Sequence, residues 1–175
     1  MPATPVVHIA LLRAVNVGGT GKLPMSELKA LCEDAGFGAV RTYIASGNVL
    51  FTSDRPEAEV RRALEARLRA HAGRPVGVLL RSPAELARVA VENPFAEAPG
   101  NRVVAIFLDA APPADALQQL SGLQGERLAL GRREIYVHYG DGMADSKLKI
   151  PAAQAGTARN MNTVIKLAQL GGALR

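Results

Sequence analysis

The spacing of hydrophobic residues in the first half of the chain alternates between two periods. Short apolar runs rich in β-branched residues predict buried strands, and apolar residues three and four positions apart predict helices. Strands are predicted at residues 6–13, 39–45, 48–53 and 76–80, with Ser46-Gly47 as the hairpin turn between the second and third. The helices begin at Pro24 and Pro56, where proline suits a first helical turn. This βαββαβ order over residues 1–81 is the split-βαβ, or ferredoxin-like, arrangement.

Each of these two helices has one apolar face that we expect to pack on the sheet. In the first helix the face contains Leu28, Leu31, Cys32 and Ala35, and Gly36 ends the helix. In the second helix it contains Val60, Leu64 and Leu68. Cys32 is therefore expected to be a core residue with no reactive role.

The second half nearly repeats the same order of elements. A helix is predicted from Ser82-Pro83 to Val91, followed by a strand at 103–108, a helix in ADALQQL, two strands joined through Gly131-Arg132, and a terminal helix at 160–170. Met161, Val164, Ile165 and Ala168 lie along one face of that last helix. We therefore predict an α+β fold of two ferredoxin-like halves with antiparallel sheets, residues 1–81 and 82–175, the second packed intimately on the first. No repeat is visible at the level of residues, so internal duplication is inferred from the topology alone.

Composition places the chain among ordinary globular proteins. The 175 residues are 48% hydrophobic and 21% charged, and no apolar run approaches the roughly 20 residues that span a bilayer. Arg13 interrupts the first apolar run, so a secretory signal is not expected. The single cysteine excludes an intrachain disulfide framework and a multi-cysteine metal site. A cytoplasmic protein is expected.

Basic residues are concentrated at the end of the chain. The net charge is +5, and no acidic side chain follows Asp145, whereas five basic residues do: Lys147, Lys149, Arg159, Lys166 and Arg175. Such a segment is a candidate surface for binding an anion. A solvated terminal helix is the alternative.

The stretch NVGGTGKLPM, residues 16–25, suggests a phosphate-binding loop because glycines and a lysine follow a strand. It does not fit the pattern G-x-x-x-x-G-K-[ST]. Asn16 occupies the place of the first glycine, Leu23 that of the hydroxyl residue, and Pro24 removes one N–H from the start of the helix. The stretch is not a Walker loop.

Four stretches in order, LLRAVNVGG, TYIASGNVLF, DGMADSKL and TARNMNTVIKL, resemble a bacterial family known as domain of unknown function 1697. The resemblance covers nearly the whole chain and implies two related α/β halves. It implies no activity. Two positions depart from the family pattern: Ala14 stands where glycine is usual, and Met161 where tryptophan is common and could have stacked on a base.

The sequence gives little support for catalysis. The three histidines, His8, His71 and His138, have no metal-ligand spacing with one another or with Cys32, and there is no G-x-S-x-G elbow. No metal and no cofactor are predicted. The arginines of the second helix are expected to form a solvated face, because glutamates lie four residues before two of them, and a nucleic-acid face is the alternative.

The segment TARNMNT is the best candidate for an anion site. It predicts a helix whose first turn contains Asn160, Asn162 and Thr163, with Arg159 just ahead and no acidic residue. Free N–H groups and the positive end of the helix dipole favour an external phosphate or carboxylate there. The alternative is that one asparagine caps the helix.

These features predict a protein that binds a phosphate-bearing ligand, nucleic acid rather than a free nucleotide. The candidate ligand-binding residues are Arg13, Asn16, Lys22, Ser46, Asn48, Lys147, Lys149, Arg159, Asn160 and Asn162. One alternative is an enzyme acting on a small phosphorylated or carboxylated substrate, in a pocket where the loops converge. Another is a structural or protein-interaction module without a ligand. The sequence leaves the oligomeric state open, and also whether the end of the first strand lies near the following hairpin.

Overall fold

The structure is a computed structural model that describes residues 4–13, 23–44, 47–140 and 146–174. The elements of the first half are β1 (Val6–Leu12), α1 (Met25–Asp34), β2 (Gly38–Thr42), β3 (Asn48–Ser53), α2 (Glu57–Ala72) and β4 (Val78–Arg81). Those that follow are α3 (Pro83–Val91), β5 (Val103–Phe107), β6 (Arg127–Leu130), β7 (Glu134–His138), β8 (Thr157–Asn160) and α4 (Met161–Ala173). Short 3₁₀ helices lie at Ala116–Gln118 and Pro151–Ala153.

The strands form two four-stranded sheets, and every strand pair is antiparallel. The first sheet has the order β2-β3-β1-β4, and the second has the order β6-β7-β5-β8. In each sheet the first strand in sequence lies between the third and the fourth, which is the ferredoxin-like arrangement. The α+β fold class is thereby confirmed.

Helices α1 and α2 cover one face of the first sheet through the apolar faces that the sequence predicts. Leu28 and Cys32 of α1, and Val60 and Leu64 of α2, are fully buried in one hydrophobic cluster with residues of β1, β3 and β4. Burying a Leu or Val side chain stabilises the fold by about 1.5–3 kcal/mol, so these two helix faces account for much of the stability of this half.

The opposite face of the first sheet is covered by the start of α3 and the end of α4. The start of α3 is a capping box in which Ser82 Oγ accepts from the Glu85 N–H (3.1 Å) and Glu85 Oε1 accepts from the Ser82 N–H (2.8 Å). Near the end of α4, Gly171 lies against Pro83 and Ile9. The helix predicted from Ser82-Pro83 to Val91 is confirmed.

The helix predicted in ADALQQL is wrong, because only the 3₁₀ turn Ala116–Gln118 forms. Within it only Ala116 is buried, and Leu117 is partly so, which is too narrow an apolar stripe to stabilise a short helix. The face of the second sheet that contains Val104 and Ile135 is covered instead by apolar residues of connecting segments: Leu117, Leu148, Ile150, Ala152 and Ala153.

The terminal helix also differs from its prediction. Thr157–Asn160 forms the strand β8, which pairs with β5, and α4 begins only at Met161. Ile165 is 42% exposed, whereas Leu167 is fully buried. The buried face of α4 therefore runs through 161, 164, 167 and 170, and does not include Ile165.

The chain divides into two compact units. The first extends to Leu86 and also takes in the chain from Leu167 onward, and the second is Ala87–Lys166. The predicted boundary between residues 81 and 82 stays a prediction. No helix in the described ranges is long and apolar enough to cross a membrane.

Candidate functional site

Three chain segments meet at one end of the first sheet: the end of β1, the connection between β2 and β3, and the residues just before β4. The register of β1 with its two neighbouring strands brings them together. Leu11 of β1 pairs with Asn48 of β3, and the Leu12 N–H donates to the Gly47 carbonyl oxygen at 2.9 Å. On the other side, the Arg13 N–H donates to the Gly77 carbonyl oxygen at 2.9 Å. The end of the first strand therefore lies beside the hairpin, which settles the question that the sequence leaves open.

Arg13 is an exposed cation at this end of the sheet. A β-carbon placed on Gly77 would lie 3.5 Å from Arg13 Cβ, so the stem of the arginine runs beside that glycine. Gly77 also borders a surface hollow of about 340 Å³, whose other lining residues are Glu65, Ala66, Arg69, Pro75 and Val76. Glu65 forms an ion pair with Arg61 at 3.4 Å.

Asn48 fixes the base of the loop that connects β2 and β3. Its side chain is fully buried, and Nδ2 donates to the Tyr43 carbonyl oxygen at 3.0 Å, while the Tyr43 N–H donates to the Asn48 carbonyl oxygen at 3.0 Å. Two hydrogen bonds therefore join residues five positions apart. The structure gives Asn48 the role of positioning the loop.

Ile44 follows Tyr43 in an unusual conformation. Its φ is +52°, and its side chain is 49% exposed. A left-handed backbone is rare for a β-branched residue, and such strained residues cluster at binding and catalytic sites. Sequence reasoning missed Ile44, because no pattern of residue types reports the sign of φ. The sequence indicates Ile44 only through its place in TYIASGNVLF, one of the four stretches that resemble the family.

Three of the predicted site residues, Asn16, Lys22 and Ser46, lie outside the described residues. Arg13 and Asn48 flank the segments that contain them.

In the second unit, Lys147 and Lys149 extend into solvent from one segment. They alternate with Leu148 and Ile150, which pack on the sheet, so both lysines lie on the outer side. The backbone of Lys149 exchanges two hydrogen bonds with Ser121, at 2.8 and 3.2 Å. This gives a pair of exposed cations on a fixed backbone.

Arg159 is placed differently from the sequence prediction, which puts it in front of a helix and open to an anion. It lies within β8 and is only 7% exposed. Nη1 donates to Thr157 Oγ1 at 2.8 Å and to the Ala158 carbonyl oxygen at 2.9 Å. Burial lowers the pKa of the guanidinium to about 10.

Asn160 and Asn162 have different roles in this motif. Asn160 Oδ1 accepts from the Thr163 N–H at 2.9 Å, which is the N-cap bond of α4. Asn162 is exposed, and its Oδ1 lies so close to Gly100 that a β-carbon at that position would collide with it. The capping alternative thus accounts for Asn160, and Asn162 is an exposed polar residue of the motif.

The described residues contain neither a reactive thiol nor a cluster of metal ligands. Burial raises the pKa of the Cys32 thiol to about 12, so it has little thiolate character. Within the ranges that the structure describes, no group of three or more His, Cys, Asp or Glu side chains could hold a metal ion.

Comparisons with known proteins agree with this architecture. The model of the family described as "Protein of unknown function (DUF1697)" matches residues 6–136. The chain is also similar to the conserved bacterial protein SP0830 from Streptococcus pneumoniae, with 25% identity, a TM-score of 0.79, and coverage of 96% of this chain and 99% of that one. Comparison with curated protein sequences gives no match. Since the family model spans most of the sequence, the chain belongs to the DUF1697 family of proteins of unknown function.

Proposed function

We propose that this protein binds a phosphate-bearing ligand, nucleic acid rather than a free nucleotide, at the end of the first sheet where Arg13 lies beside the β2–β3 loop. The observation that carries this proposal is the register that sets Leu11 opposite Asn48. It brings the end of β1, which the exposed Arg13 follows, next to Gly47 of the β2–β3 loop, in which Ile44 has a left-handed backbone.

The chemistry of these groups suits a nucleotide chain. A guanidinium presents several N–H donors that match the oxygens of a phosphate. The exposed side chain of Ile44 and the half-buried Tyr43 offer apolar surface for a base at the same end of the sheet. Asn48 takes the role of positioning these two residues, since its amide holds the Tyr43 carbonyl.

Further cations extend the proposed surface. Arg69 borders the hollow beside Gly77, and Lys22 is predicted to contribute from the segment after Arg13. In the second unit, the exposed Lys147, Lys149 and Asn162 form a separate candidate contact. A cytoplasmic location is part of the proposal, since that compartment contains the ligand.

The test is titration of the protein with single-stranded RNA and DNA of about ten nucleotides, a length within the usual range for single-strand sites. Binding is measured by fluorescence anisotropy between about 50 and about 200 mM salt, because phosphate contacts must give an affinity that falls with salt. Arg13→Ala is expected to weaken binding about tenfold or more, since a hydrogen bond to a charged group contributes about 1.5–3 kcal/mol.

Arg67→Ala is the matched control, because Arg67 is an exposed arginine on α2 that does not line the hollow. It is expected to change the affinity by less than about twofold, the scale of a general charge effect on one distant site. Equal losses in both variants, or no binding to either oligonucleotide at the lowest salt, would contradict the proposal.

A small phosphorylated molecule is a second candidate ligand, and the hollow supports it. Its volume of about 340 Å³ is within the range of small-molecule sites. Titration with inorganic phosphate and a nucleoside monophosphate in the same assay distinguishes a small phosphorylated ligand from nucleic acid. An affinity for the monophosphate as high as for the oligonucleotide would favour an enzyme or a small-ligand protein.

A further inference from the structure

The hollow beside Gly77 lies between α2 and the segment that leads into β4. Three of its lining residues give it an apolar surface: Ala66, Pro75 and Val76. Its charged lining residues are Glu65 and Arg69, one helical turn apart on α2. An apolar lining with a few polar groups is typical of a site for a small molecule or for one group of a larger ligand. The hollow therefore suits a flat ring that has polar groups along one edge.

Glu65 is the hydrogen-bond acceptor of this lining. Arg61 Nε lies 3.4 Å from Glu65 Oε1, and both side chains are about one-third exposed, at 36% and 35%. The ion pair holds the carboxylate on the helix surface without closing it off from solvent. An ionised carboxylate accepts hydrogen bonds through two oxygens and donates none. Glu65 is therefore suited to a ligand edge that presents two adjacent N–H donors.

Arg13 lies next to the same hollow through its contact with Gly77. A β-carbon placed on Gly77 would lie 3.5 Å from Arg13 Cβ and 3.7 Å from Arg13 Cδ. The Arg13 N–H also donates to the Gly77 carbonyl oxygen at 2.9 Å. The aliphatic part of the arginine thus runs alongside a residue that lines the hollow. A ligand that extends from the hollow past Gly77 meets a guanidinium, which matches the oxygens of a phosphate.

The acceptor pair of Glu65 distinguishes among the common bases of RNA. Guanine presents its N1–H and its N2 amino group side by side on one edge, whereas adenine, cytosine and uracil present a single donor group flanked by acceptors on that edge. A guanidinium such as that of Arg69 also stacks on the face of a base.

We infer that the hollow binds a guanine base of the phosphate-bearing ligand. Glu65 accepts from N1–H and from the N2 amino group, Arg69 stacks on the ring, and Arg13 contacts the adjoining phosphate. This inference rests on the proposed function and adds to it the base that is recognised and the residue that recognises it.

The test compares oligouridylates of about ten nucleotides that contain a central guanosine, inosine or adenosine. Inosine keeps the N1–H of guanosine and lacks the amino group. Binding is measured by fluorescence anisotropy at about 50 mM salt, where phosphate contacts are strong. The oligonucleotide with guanosine should bind about tenfold more tightly than the one with adenosine, the discrimination of a good bidentate contact, and inosine should lie between them.

Glu65→Gln keeps the size of the side chain but replaces one acceptor oxygen with a donor. It should abolish the preference for guanosine over adenosine. Glu59→Gln is the matched control, because Glu59 is an exposed glutamate on the same helix that does not line the hollow. Both variants remove one negative charge, so a general change in affinity is common to them and only the ratio between the oligonucleotides tests Glu65. Ala66→Leu enlarges an exposed side chain of the lining and should also remove the preference.

Equal affinities of the unmodified protein for guanosine and adenosine, or a preference that Glu65→Gln retains, would overturn the inference and leave the proposed function in place. A preference that survives in Ala66→Leu would place the base outside the hollow. If no oligonucleotide binds, the proposed function fails, and titration with guanosine and adenosine monophosphates then decides. A tenfold preference for the guanosine compound would support the hollow as a base site, and equal or absent binding would overturn it.

Discussion

The side-chain amide of Asn48 donates a hydrogen bond to the carbonyl oxygen of Tyr43, 3.0 Å away. Asn48 is fully buried and is the first residue of β3, opposite Leu11 at the end of β1. Its side chain thereby holds Tyr43 against the first residue of β3, which pairs with β1. This contact links the two residues that flank the loop, Tyr43 and Asn48.

Asn48→Ala is therefore expected to lower the free energy of unfolding by about 1–3 kcal/mol, the cost of leaving a buried polar partner without its hydrogen bond. Chemical denaturation measures this difference. Asn101→Ala is the control, because Asn101 is exposed, and it should change stability by less than about 0.5 kcal/mol. A cost as small as the control's would show that the loop holds its place without the amide.

The neighbouring glycines near the end of α4 should respond oppositely to alanine. A β-carbon on Gly171 would be 2.8 Å from Pro83 Cγ and 3.0 Å from Ile9 Cδ1, whereas one on Gly172 would have nothing within 4 Å. Gly171→Ala should cost about 1–3 kcal/mol from overpacking. Gly172→Ala should stabilise the protein by about 0.5–1 kcal/mol, because alanine is the better helix former. The difference in melting temperature between the two variants tests the packing of α4 on the first sheet. Equal melting temperatures would contradict this packing.

His8 should make the stability depend on pH. It is 7% exposed, its Nε2 has no hydrogen-bond partner among the described residues, and its ring stacks on Phe51 at 5.7 Å. Burial lowers its pKa from the ordinary value of 6.5, although Glu57 and the backbone of Ser53 oppose the shift. Since the folded pKa lies below the unfolded one, the unfolded chain binds the proton first. Stability is therefore complete above about pH 6.5 and falls as the pH drops below it.

His8→Phe removes the titrating group and keeps the aromatic contact. The difference in unfolding free energy between His8→Phe and the unmodified protein should be constant above pH 7 and grow in favour of the variant towards pH 5. Urea denaturation across this range measures it. A difference that does not change with pH would mean that His8 is protonated equally in both states.

Cys32 should resist thiol reagents in the native protein. It is fully buried, and burial raises its pKa to about 12, so the reactive thiolate is scarce and inaccessible. Labelling by a chromogenic disulfide should be slow without denaturant and complete within minutes in concentrated guanidinium. Rapid labelling of the native protein would show that α1 opens locally.

The local elements were predictable because their causes are local. The stripes of α1 and α2, and the cap that Ser82 and Glu85 provide, depend on residues within a few positions of one another. Strand β8 was not predictable, because Thr157–Asn160 contains an arginine and an asparagine and has no apolar alternation. Its strand conformation comes from pairing with β5, some fifty residues earlier.

The sequence by itself determined the order of elements in the first half, the apolar faces of α1 and α2, the mismatch with the Walker pattern and the family. Only the tertiary structure decided that Arg159 is buried and Arg13 exposed, and that the β2–β3 loop lies beside the end of β1. The physical reason is that strand register is fixed by contacts between distant segments, and a shift of one residue turns every side chain to the opposite face. The candidate site depends on that register, since it sets Asn48 opposite Leu11 and Gly77 beside Arg13.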